Sequence, residues 1–128
     1  MKSLEAKKLI AQLQKEISTN GIQVEKIVEE LKKIRPYANS EIEKDPLVHK
    51  TIRLTFEHLL ENGTYNIPIP EEDEEGNNIA VAPTDAENDD WKIESLNFFL
   101  SLISNSEKKV NRPDISAYKF SLLDYAEA

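Results

Sequence analysis

The chain has no cysteine, three glycines, one methionine and one tryptophan among 128 residues. Without cysteine there is no disulfide framework, no thiolate nucleophile and no thiolate metal site. The three glycines, Gly21, Gly63 and Gly76, are too scattered for a phosphate-cradling loop, so neither a P-loop nor a dinucleotide fingerprint is present. No GxSxG or HExxH spacing occurs either, which leaves serine-nucleophile and zinc-hydrolase chemistry without a motif. Long apolar runs are missing too: charged residues interrupt the N-terminal stretch Met1–Lys8 every few positions, and nothing approaches a signal h-region or a membrane span. These absences lead us to expect a soluble, cytoplasmic, non-enzymatic protein that uses no cofactor and does not engage a membrane.

One stretch has no cation. From Leu54 to Trp91 there are eleven acidic residues and no lysine or arginine, with Glu71, Glu72, Asp73, Glu74 and Glu75 consecutive at its centre. The net charge of −8 is therefore unevenly distributed: residues 1–53 carry +3, residues 54–91 carry −11, and residues 92–128 balance. A surface of that sign repels phosphate backbones, which argues against nucleic-acid binding and favours a basic protein surface as partner.

What is present is helical periodicity in a chain of ordinary single-domain length. Leu4, Leu9, Ile10, Leu13 and Ile17 share a stripe, with Ser3 as N-cap and Asn20-Gly21 as the stop, predicting a first helix over about residues 4–18. Val24, Ile27, Val28, Leu31 and Ile34 give a second, ending at Arg35-Pro36, whose early glutamates and late cations complement the helix dipole. Ser40-Glu41-Ile42-Glu43 has the capping-box pattern for one further turn. Asp45-Pro46 opens a third helix and Asn62-Gly63 closes it. A fourth, started by Thr84-Asp85-Ala86-Glu87 or by Asp89 or Asp90, carries two stripes: Ile93, Leu96, Phe99, Leu100 and Ile103 on one side, and Trp91, Phe98 and Leu102 nearly opposite. That second stripe predicts either a central helix or a homodimer seam. Asn111-Arg112-Pro113-Asp114 starts a fifth helix presenting Ile115, Tyr118, Leu122 and Tyr125.

Between the third and fourth helices the period drops to two. Tyr65, Ile67 and Ile69 alternate with Asn66, Pro68 and Pro70, and Ile79-Ala80-Val81-Ala82 follows the turn residues Gly76-Asn77-Asn78. The expectation is a mainly α (α+β) fold: one domain over 1–128, five amphipathic helices in a compact bundle, and a β-hairpin insert over 64–83 with its acidic tip at Glu71–Asn78. Prolines restrict the first strand to an edge.

His49 and His58 lie nine residues apart on the third helix, about 180° around its axis, and cannot share a metal. His49, Arg53 and Glu57 form a polar ladder. A calcium loop fits poorly, since Asn78 and Ala82 fall where an apolar anchor and a bidentate glutamate belong. The composition thus points to a protein-interaction module resembling, in size and charge, an inhibitor or immunity-type protein. Its candidate contacts are Glu71, Glu72, Asp73, Glu74, Glu75, Asp85, Asp89, Asp90, Trp91 and Tyr65, and divalent-ion regulation through the same carboxylates is the alternative.

Overall fold

Helix boundaries follow the capping residues. In the computed structural model, which describes residues 1–72, 78–79 and 90–127, α1 runs Leu4–Asn20, and Ser3 Oγ accepts the Ala6 N–H at 3.2 Å. It stops at Gly21, whose φ of 78° and N–H bond to the Ile17 carbonyl require a residue that tolerates the left-handed side. α2 (Val24–Ile34) continues into a 3₁₀ turn, Arg35–Asn39, where Pro36 removes the donor that another α-helical turn would need. α3 spans Pro46–Asn62; Asp45 Oδ1 caps it by accepting the Val48 N–H at 3.3 Å, and Gly63 ends it at φ 70°. α4 covers Asp90–Ser104, and α5 covers Arg112–Glu127 after a short 3₁₀ turn at Lys109–Asn111.

The apolar stripes meet in one buried cluster drawn from all five helices, including Ile10 and Ile17 of α1, Leu31 of α2, Ile52 and Leu59 of α3, Phe99 and Ile103 of α4, and Tyr118 of α5. α3 packs against α2, the first 3₁₀ turn and α5, while α4 packs against α1 and α5. The central position expected for the fourth helix is thus shared with the third. Of α4's second stripe, Leu102 is buried, Trp91 half-buried and Phe98 38% exposed. None of the helices among the described residues is long and apolar enough to cross a membrane.

The hairpin insert over 64–83 does not form as its periodicity suggests. Residues 65–70 carry no regular secondary structure, and strand pairing among the described residues is confined to β1 (Glu71–Glu72) and β2 (Asn78–Ile79), antiparallel with Glu71 opposite Ile79 and Glu72 opposite Asn78. Pro68 and Pro70 cannot donate to a ladder. Tyr65 and Ile67 are buried in the helical core instead of lining a sheet face. The predicted strand end at Ala80–Ala82 and most of the tip, residues 73–77, lie outside the described residues.

Charged contacts connect distant parts of the chain. The buried Met1 ammonium donates to the Ile103 carbonyl (3.1 Å), the Ser104 carbonyl (2.7 Å), Ser106 Oγ (3.0 Å) and Glu107 Oε2 (2.7 Å), placing a cation on the negative end of the α4 dipole. Burial pushes the Glu107 carboxyl up, but the Met1 ammonium and Lys7 outweigh it and hold the group at about 2. Arg112 of α5 forks onto both carboxylate oxygens of Asp45, with Nη2 to Oδ1 at 3.0 Å. Asp45 therefore serves as both cap and counter-ion. Asp45→Asn keeps a good cap but removes the charge, whereas Asp45→Ala removes both. Urea unfolding should place Asp45→Ala lowest, about 2 kcal/mol below the parent, with Asp45→Asn between them. Equal stability of the two variants would deny the cap its share.

Candidate functional site

The acidic stretch leaves the core through the irregular segment 64–70, and the geometry of that root is set by side chains from three helices. On α3, His58 Nε2 accepts the Asn66 N–H at 3.0 Å. Because a neutral imidazole carries one proton, that acceptor role assigns the proton to Nδ1, while the Asn62 side-chain amide donates to the His58 carbonyl at 2.9 Å. On α4, the Ser95 hydroxyl donates to the Ile67 carbonyl at 2.6 Å. Having spent its one proton there, Ser95 acts only as acceptor toward Tyr118 of α5, whose hydroxyl lies 2.9 Å from the Ser95 carbonyl and 3.0 Å from its Oγ. At the surface, Asn66 Nδ2 donates to Tyr125 Oη at 2.9 Å and Lys92 Nζ to Thr64 Oγ1 at 3.4 Å.

Aromatic edges complete the root. Tyr65 and Tyr125 both meet the His58 ring in T-shaped contacts, with centroids at 5.7 Å and 4.8 Å. Desolvation lowers His58 to about 4, so the imidazole is neutral at ordinary pH. Burial raises Tyr118, and burial together with the neighbouring Tyr118 raises Tyr65 well above its ordinary value. The Tyr65 hydroxyl is fully buried and has no hydrogen-bond partner among the described residues.

The expected contact residues divide accordingly. Tyr65 is 0% exposed and belongs to the core, because its ring fills the space between His58 and the helices; it is not a contact residue. Glu71 and Asp90 are exposed at the two ends of the stretch, and Trp91 is half-buried, with Lys92 Nζ 5.7 Å from its ring centroid. The backbone of Glu72 pairs in β1, whereas Asp73, Glu74, Glu75, Asp85 and Asp89 lie outside the described residues. Among the described residues no group of three or more histidines and carboxylates is placed to hold a metal ion. Of the polar ladder on α3, Arg53 and Glu57 pair at 3.3 Å while His49 stands apart.

Sequence reasoning missed His58 as an anchor. It weighed His58 only as a metal ligand that His49 could not join, yet His58 is 5% exposed. The available signal was its position on α3, one turn after Thr55 and beside Leu59, which places His58 at the edge of the buried stripe.

Two measurements test this root. His58 is protonated more readily when unfolded, near its ordinary 6.5, than when folded, so its contribution to stability is present above 6.5 and is lost as pH falls toward about 4. His49 is also lowered, by burial and then by Arg35 and Arg53, and shares the window. Urea midpoints across that range should fall in the parent and fall less steeply in His58→Gln; an unchanged slope would remove His58 from the acid response. For Tyr65→Phe, losing a hydroxyl that has no partner should leave stability unchanged or raise it by up to about 1 kcal/mol, since an unsatisfied buried group costs roughly 1–3 kcal/mol. No family model matches this chain, and neither a curated protein nor a solved structure matches it.

Proposed function

We propose that the protein is a small non-enzymatic interaction module that presents an acidic surface to a basic protein partner, as an inhibitor or immunity-type protein does. The observation that carries the reading is the stretch from Leu54 to Trp91, with its eleven carboxylates and no cation. Its support is the root: exposed Glu71 follows a segment whose backbone is bonded to α3 and α4, and exposed Asp90 opens α4. Charges presented from fixed elements steer encounter, and the field reaches about 8 Å at physiological salt. Apolar contact would come from half-buried Trp91 and part-exposed Phe98, two turns apart on one face of α4. His58 and Tyr118, whose protonation burial perturbs, are occupied in holding the root, which favours binding over acid–base chemistry.

The test is a low-salt affinity capture from cytosol with the parent chain and a variant in which Glu71, Glu72, Asp73, Glu74 and Glu75 are changed to the corresponding amides. A basic protein retained by the parent, released by moderate salt and lost from the amide variant is the expected result. Equal capture by both baits takes the acidic run out of the mechanism. Calcium-dependent elevation of the thermal midpoint, absent in the amide variant, would replace the reading with ion regulation.

A further inference from the structure

The cations of the first 53 residues are not all absorbed by carboxylates. Between the end of α2, the 3₁₀ turn and α3 lies a half-open groove of about 530 Å³ lined by Lys32, Arg35, Pro36, Asn39, His49 and Phe56. Its volume falls within the range of small-molecule sites. Arg35 is oriented by its backbone acceptor: Nε donates to the His49 carbonyl at 3.2 Å, which leaves the two terminal nitrogens of the fork available. Lys32 Nζ lies 5.5 Å from the Phe56 ring centroid. Neither cation has a carboxylate within ion-pair distance among the described residues, although the neighbouring Lys33 is paired with Glu29 and Glu30, and Arg53 with Glu57.

We propose that this groove is a binding site for a small organic phosphate monoester, with the phosphate held by Arg35, Lys32 and His49 and the apolar part of the ligand against Phe56 and Pro36. A phosphate matches the donor set because its oxygens can take the planar Arg35 fork and still face the Lys32 ammonium and the His49 ring. The pre-aimed guanidinium reduces the ordering needed on binding. Pro36 and Phe56 add apolar wall that inorganic phosphate would not use. His49 reports the positive field: burial lowers it first, then the Arg35 guanidinium from the 3₁₀ turn and Arg53 from its own helix. A bound dianion would reverse the last two effects. The chain's net charge of −8 opposes a polyanion such as nucleic acid, whereas a single phosphate needs only the local site. The groove shares only α3 with the root of the acidic stretch and uses different residues of it, so neither reading depends on the other.

The experiment is an NMR titration of the full chain with phenyl phosphate, and in parallel with inorganic phosphate and with benzoate. The expected result is saturable shifts of amides within 32–39 and 49–56, tighter for phenyl phosphate than for either control, with His49 titrating at higher pH in the complex. Arg35→Gln should weaken phenyl phosphate binding at least about tenfold, the loss of one charge-assisted fork. Lys32→Gln, at an exposed position, should weaken it less while leaving the rest of the spectrum unchanged, which keeps the test valid if Arg35→Gln disturbs the turn. Shifts that do not saturate, or binding unchanged in Lys32→Gln and Arg35→Gln, would overturn the proposal. Phenyl phosphate binding no tighter than inorganic phosphate would also overturn it, by reducing the groove to an adventitious ion only.

Discussion

A chain segment that crosses a protein interior without a strand partner must still satisfy its backbone N–H and carbonyl groups, and segment 64–70 sets that requirement here. Pro68 and Pro70 reduce it by removing two donors. His58 and Ser95 meet it from opposite sides, one accepting the Asn66 N–H and the other donating to the Ile67 carbonyl. Burying Tyr65 and Ile67 then becomes favourable, because the apolar gain is no longer offset by stranded polar groups. Tyr118 bonds to Ser95, and His58 meets rings from the segment and from α5, so α3, α4 and α5 are joined through this one crossing.

The same prolines explain why the sequence reading went astray there. An alternation of apolar and polar residues states that successive side chains point to opposite sides, which is equally true of a strand in a sheet and of an extended segment pressed between helices. The ladder partner distinguishes the two, and it is a non-local fact. Caps were legible because their chemistry is local: Ser3, Asp45-Pro46, Gly21 and Gly63 all do what their residue types imply. The Met1 seat at the end of α4 and the Asp45–Arg112 fork join residues scores of positions apart. Only the fold brings those charges together.

His58 and His49 show the limit from another direction. Their separation on α3 fixes that they face opposite sides, and the structure keeps them opposite in role as well. His58 is neutral, desolvated and bonded to the irregular segment. His49 lines an open groove beside Lys32 and Arg35, which have no carboxylate within ion-pair distance among the described residues. Residue type and spacing established that the two could not cooperate, but the environment that gives each its chemistry comes from α2 on one side and α4 and α5 on the other.

Charge in this chain is thus organised by partner availability and not by count. Cations that have a carboxylate one helical turn away, such as Lys33 and Arg53, are internally paired and contribute little beyond their own helix. Among the described residues neither Lys32 nor Arg35 has a carboxylate within ion-pair distance, and their field must be answered by solvent or by a ligand. The acidic stretch stands in the mirror situation, having no cation of its own within the sequence from Leu54 to Trp91. Because screening confines each field to about 8 Å, the +3 of the N-terminal part and the −11 of the middle do not neutralise one another over longer distances. A small helical chain can in this way carry regions of both signs while its interior stays dominated by apolar side chains.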